Sequence, residues 1–124
     1  MADKVKQIDV ASIGDIVTDA FIKLLDDEAV TYQNDEGKWL AMKFATKLPF
    51  DHAEVIEAVG NAANAAVAFS RLGLNTAMIT NVGEDKHGRD IISSLHKDKI
   101  DTRFVRINPD KISNYHYVLW YNDE

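Results

Sequence analysis

Two short runs of polar and glycine residues in this sequence have the chemistry to hold a polar small molecule. The first is Gly14-Asp15-Ile16-Val17-Thr18-Asp19, which places two carboxylates at the end of an apolar stretch from Ile8 to Ile16. The second is Gly60-Asn61-Ala62-Ala63-Asn64, which offers a glycine, two side-chain amides and the free N–H groups of a helix start. Carboxylates beyond a buried strand lie at the sheet edge where open α/β folds bind ligands.

Both runs also have a purely structural interpretation. Asp15 and Asp19 are ordinary turn or capping residues in that interpretation, and Asn61 is simply an N-cap. An alanine-rich helix that ends at a glycine, here Gly73, is most often just part of a core. Only the sequence context of the two runs can favour one interpretation over the other.

Several other kinds of site have no support in the sequence. The four histidines lack partners at metal-ligand spacing, so no metal site is expected. There is no cysteine, no G-x-S-x-G nucleophile motif and no G-x-x-x-x-G-K-[ST] phosphate loop. Ala62 occupies the second glycine position of a dinucleotide-binding fingerprint, which argues against a Rossmann NAD site.

Composition limits the class of protein further. The 124 residues are enough for one compact domain, and 14 basic against 20 acidic residues give a net charge of −6. This charge argues against a nucleic-acid partner. The polar N-terminus and the absence of a long apolar run argue against a leader or a membrane span, so we expect a cytoplasmic protein.

The apolar pattern predicts an α/β fold with a mainly parallel sheet. A helix with Asn61 as N-cap and Gly73 as its stop is expected, with Val67, Phe69 and Leu72 carrying its apolar load. Only about three core strands can be counted, which suggests that part of the sheet is missing. The predicted elements are strand 8–16, hairpin strands 29–33 and 38–44 about an Asn34–Gly37 turn, helix 61–73, strand 76–82, helix 89–97, strand 102–107 and strand 113–121.

Three separated motifs together resemble the N-terminal part of a ribokinase-like carbohydrate kinase of the PfkB family. The first is Ile13-Gly14-Asp15-Ile16-Val17-Thr18-Asp19. The second is Val59-Gly60-Asn61-Ala62-Ala63-Asn64 with the helix that follows, and the third is Gly83-Glu84-Asp85 with Gly88. Taken together with Ile100-Asp101-Thr102, they cover nearly the whole chain.

The resemblance implies that Asp19, Gly60, Asn61 and Asn64 bind the substrate. A carboxylate accepts from two neighbouring hydroxyls, an amide both donates and accepts, and a glycine allows close backbone approach to a sugar ring. Val59 replaces the first glycine of the family's pair, and Val17 replaces a polar substrate contact of some members. These departures put the substrate pose, and ribose itself, in question.

The resemblance also implies a three-layer α/β/α fold with a mainly parallel central sheet and a small β-sheet lid. Residues 1–124 would form the N-terminal part of one kinase domain, with 29–44 and 113–121 as lid candidates and a homodimer formed through the lid. Plain edge packing explains those two segments equally well. We expect the uncovered apolar surface of such a piece to promote self-association.

The implied activity is ATP-dependent phosphorylation of an alcohol group of a sugar or nucleoside, with Mg²⁺ and, in some members, a monovalent cation. The family's G-A-G-D motif and its ATP-binding segments are absent from this sequence. The general-base aspartate is therefore expected in a missing C-terminal part, and the isolated chain is expected to be inactive and to bind no cofactor.

Two alternatives remain open at this point. One is a non-catalytic small-molecule-binding or interaction module of α/β fold. The other is an unrelated α/β protein with coincidental motifs, which predicts that Asp19 and Asn64 do not face one pocket.

Overall fold

The computed structural model describes residues 7–122. These residues form two units, the first comprising residues 7–19 and Ile56–His116 and the second Ala20–Val55 and residues 117–122. The elements in chain order are β1 (Val10–Ile13), β2 (Val17–Leu24), β3 (Ala29–Asn34), β4 (Gly37–Met42), β5 (Phe50–Val59), α1 (Asn61–Arg71), β6 (Thr76–Gly83), α2 (Lys86–Lys97), β7 (Val105–Asn108) and β8 (Tyr115–Trp120).

The first unit contains a parallel sheet of three strands in the order β1-β6-β7. Val10 pairs with Thr76 at one end of the β1–β6 ladder, and Thr80 pairs with Val105 at the start of the β6–β7 ladder. The predicted mainly parallel sheet is thereby confirmed. The first strand is shorter than predicted, because the chain turns away at Gly14, whose φ is +155°.

Both helices pack on one face of this sheet. The buried cluster comes from α1, α2, β6 and the segments beside them, and consists of Ile16, Ala58, Ala63, Ala66, Met78, Val82, Ile91, Leu95 and Ile100. The helix α1 buries alanines against β1, and the Ser12 hydroxyl donates to the Ala62 carbonyl at 2.6 Å. The prediction that Leu72 helps to carry the apolar load was wrong, since that side chain is 81% exposed.

The two ends of α1 differ in how well they were predicted. Gly60, rather than Asn61, is the N-cap, and no side chain caps this end. The C-terminal end is as expected: Gly73 has φ +95°, its N–H donates to the Ser70 carbonyl, and the Leu74 N–H donates to the Phe69 carbonyl. This pair of bonds is the Schellman motif, which a glycine at the first position beyond the cap favours.

The second unit contains the predicted hairpin. Strands β3 and β4 are antiparallel, with Tyr32 opposite Trp39. The two rings stack at 6.4 Å with 8° between their planes, and the Trp39 indole N–H donates to the Asn34 side-chain oxygen at 2.8 Å. The pairing predicted from the sequence is confirmed, while the role of the hairpin as a lid stays a prediction.

A second three-stranded sheet has the order β5-β2-β8. The last strand was predicted, but β2 and β5 were not, and Asp19 lies inside β2 rather than in a turn. Seven consecutive residues of β5 are exposed. Apolar and polar residues do not alternate along them, so the sequence lacks the pattern of a half-buried strand. Within residues 7–122 no helix is long and apolar enough to cross a membrane.

Candidate functional site

A cavity of about 630 Å³ lies in the first unit, where β1 ends and α1 begins. The carboxyl end of a parallel strand beside a helix N-terminus is the usual ligand position in open α/β sheets. The residues that line the cavity are Ile13, Gly14, Asp15, Val17, Gly60, Asn61, Ala62 and His116.

Two glycines allow β1 and α1 to approach each other closely at this cavity. A β-carbon at Gly14 would lie 2.8 Å from the β-carbon of Ala62, which is closer than two carbons can pack. A β-carbon at Gly60 would lie 3.3 Å from the carbonyl oxygen of Asp15, and Gly60 has φ +110°, which residues with a side chain rarely adopt. A side chain at either position would therefore strain the backbone at the cavity.

Asn114 and His116, at the start of β8, contact the two carboxylates at this cavity. The Asn114 side-chain amide donates to the Asp15 carboxylate at 2.8 Å, and the Asn114 carbonyl accepts from the Thr18 N–H at 3.1 Å. His116 Nδ1 lies 3.4 Å from the Asp19 carboxylate, and the His116 side chain is 60% exposed against 23% for Asp19. Of these residues, Asp15 and His116 line the cavity, and Asn114 and Asp19 contact them from beside it.

The four residues that the sequence assigned to substrate binding are divided by the structure. Gly60 and Asn61 line the cavity, and Asp19 adjoins it through its pairing with His116. Asn64 instead lines a separate cavity of about 560 Å³ with residues of β5, α1 and α2. The binding roles of all four residues remain predictions.

Sequence reasoning missed His116, which lines the cavity, and Asn114, which donates to the cavity residue Asp15. Asn114 and Asp15 are 99 positions apart, and no local pattern links them. His116 was seen only as one member of an alternating strand. Their importance becomes visible only when β8 is placed beside β2.

The third motif forms a separate polar cluster at the start of α2. The Asp85 carboxylate accepts hydrogen bonds from the Gly88 N–H at 2.7 Å and from the Ser113 N–H at 2.8 Å. The backbone bond from Ser113, followed by that from Gly88, holds the pKa of Asp85 below its ordinary value. Among residues 7–122 there is no group of three or more acidic or histidine side chains placed to hold a metal ion.

The arrangement of a parallel sheet with both helices on one face and a polar cavity at the strand ends is that of a ribokinase-like α/β fold. The family model for pfkB family carbohydrate kinases matches residues 51–124. The chain therefore belongs to the pfkB family of carbohydrate kinases. This match excludes an unrelated protein with coincidental motifs, although Asn64 lies in a different cavity, as that alternative predicted.

Sequence and structural relatives agree with this family. A protein assigned as a sugar kinase in Pyrococcus horikoshii is 46% identical over 46 residues, which are 37% of this chain and 15% of that protein. A structure assigned as a ribokinase from Agrobacterium tumefaciens is 25% identical, with TM-score 0.67 over 91% of this chain and 32% of its own. The Arabidopsis thaliana ribokinase complexed with ribose and ATP is 18% identical, with TM-score 0.71 over 92% of this chain and 32% of its own. The chain thus spans about a third or less of these proteins.

Proposed function

We propose that this protein is an ATP-dependent kinase that phosphorylates an alcohol group of a sugar or nucleoside. In this proposal residues 1–124 recognise the alcohol, and the general base and the ATP-binding segments lie outside them. The family supports phosphoryl transfer to a small polar molecule, and the relatives include a ribokinase complexed with ribose and ATP.

The cavity at the start of α1 is the observation that carries the proposal. Its polar groups are the Asn61 amide, the Asp15 carboxylate and the His116 imidazole, with Asp19 behind the last of these. Such groups match adjacent hydroxyls, because carboxylates accept and amides do both. Because the His116 side chain is exposed, it can turn away from Asp19, and the Asp19 carboxylate is then free to accept from a ligand hydroxyl.

ATP and Mg²⁺ belong to the proposal for the whole protein only. The described part of the chain has no group of three or more acidic or histidine side chains that fits a metal ion. A cytoplasmic location and a homodimer formed through the lid are part of the same proposal.

The test is an ATP-consumption assay on the complete protein with a panel of sugars and nucleosides. We expect turnover with one substrate class. Asp19→Asn removes a charged acceptor worth about 2 kcal/mol and should raise KM for that substrate about thirtyfold.

The matched control is Asp27→Asn, the same substitution at an exposed turn position outside both lid candidates. It should leave KM unchanged. No turnover with any alcohol would refute the kinase proposal, and binding without turnover would favour the non-catalytic module. An unchanged KM in Asp19→Asn would remove Asp19 from the site.

A further inference from the structure

The cluster around Asp85 is not part of the cavity, yet it fixes the residue next to the cavity wall. Ser113 is buried, with 5% of its surface exposed. Its hydroxyl donates to Asp85 Oδ1 at 2.8 Å and its N–H donates to Asp85 Oδ2 at 2.8 Å. The same hydroxyl accepts from the Gly83 N–H at 2.9 Å. Ser113 is thus held at both its backbone and its side chain by the β6–α2 turn.

The two glycines of this turn bring the 111–113 backbone into contact with it. A β-carbon at Gly83 would lie 2.3 Å from the Lys111 carbonyl oxygen and 2.7 Å from the Ser113 nitrogen. A β-carbon at Gly88 would lie 2.1 Å from the Gly83 carbonyl oxygen. Any side chain at either position would push these backbone segments apart. The spacing of glycine, aspartate and glycine therefore specifies a contact between two loops.

The residues that follow Ser113 lead directly into the cavity. Asn114, its immediate neighbour, bonds the Asp15 side chain and the Thr18 backbone. Two positions further, His116 pairs with Asp19 and lines the cavity. Since Asn114 directly follows Ser113 and His116 lies three positions beyond Ser113, displacement of Ser113 would move Asn114 and His116.

We propose that Asp85 and Ser113 are positioning residues for the alcohol substrate, acting through Asn114 and His116. This inference rests on the proposed function, because it assigns the cavity to substrate. It gives the Gly83-x-Asp85-x-x-Gly88 motif a role in substrate binding rather than in helix capping alone.

Steady-state kinetics of the complete protein with its alcohol substrate and ATP test the inference. Asp85→Asn is nearly isosteric, but its amide nitrogen places a donor against either the Ser113 N–H or the Gly88 N–H, so at least one bond is lost. We expect KM for the alcohol to rise about tenfold or more while KM for ATP stays within about twofold. A general loss of folding would lower kcat with both KM values unmoved.

Two further variants make the test independent of folding. Ser113→Ala removes the hydroxyl with its bonds to Asp85 and Gly83 and leaves the Ser113 N–H bond, so it should also raise the alcohol KM and leave KM for ATP unchanged. Asp90→Asn is the matched control: it lies on the same helix and breaks only the exposed ion pair with Lys86. It should change neither KM.

The outcomes separate the two proposals. If the wild type is active and both Asp85→Asn and Ser113→Ala have its KM for the alcohol, the positioning role is overturned and the kinase proposal stands. Equal rises of both KM values also overturn it. A wild type that phosphorylates no alcohol overturns the proposed function and this inference with it.

Discussion

Gly14→Ala should act through one defined steric conflict at the candidate site. The new β-carbon would lie 2.8 Å from that of Ala62, about 0.7–1.2 Å closer than carbons pack at their optimum. Overpacking of this kind costs about 1–3 kcal/mol, and the φ of +155° adds strain for any residue with a side chain. The start of α1 must move away from β1, which widens the cavity.

The measurement is urea unfolding of the complete protein, followed by circular dichroism, on a double-mutant cycle. Ala62→Gly removes the facing β-carbon, so Gly14→Ala with Ala62→Gly should recover about 1 kcal/mol or more relative to the sum of the single changes. Gly37→Ala is the control, since Gly37 has φ +131° but no atom within 4 Å of an added β-carbon. It reports the backbone strain without the clash.

Coupling smaller than about 0.5 kcal/mol between the two substitutions would refute this reasoning, because independent sites add within that margin. A loss in Gly14→Ala no larger than in Gly37→Ala would also refute it. Either result would mean that β1 and α1 separate without resistance.

Two other predictions concern stability and association. Because the folded pKa of Asp85 is lowered, its stabilisation is present above the unfolded pKa of about 4 and is lost as pH falls through the folded value. Unfolding midpoints measured across this acid range should fall less steeply in Asp85→Asn than in the wild type, and parallel profiles would contradict this. Ile13 and Ile79 are register partners on the sheet face opposite the helices, and they are 72% and 37% exposed. The 124-residue chain alone should therefore self-associate in sedimentation, and Ile79→Lys should reduce this; a monodisperse wild-type monomer would exclude it.

Local patterns predicted the elements whose signals lie within a short stretch of chain. The hairpin was predicted from a turn with a glycine between two strands that carry aromatic residues. The end of α1 was predicted from Gly73, because glycine readily adopts the left-handed conformation found at helix ends. Strand β5 could not be predicted in this way, because seven of its ten residues are exposed and carry no alternating pattern. The prediction that Asn61 is the N-cap was wrong. Gly60 is the N-cap, with φ +110°, and Asn61 is already the first residue of the helix.

The sequence by itself determined the α/β class, the parallel core and the family, because these depend on apolar periodicity and on short motifs with fixed spacing. Only the tertiary structure decided which polar groups share a cavity. It brought Asn114 and His116 to Asp15 and Asp19, and it placed Asn64 elsewhere. The physical reason is that strand pairing joins residues nearly a hundred positions apart, and no local propensity records such a pairing.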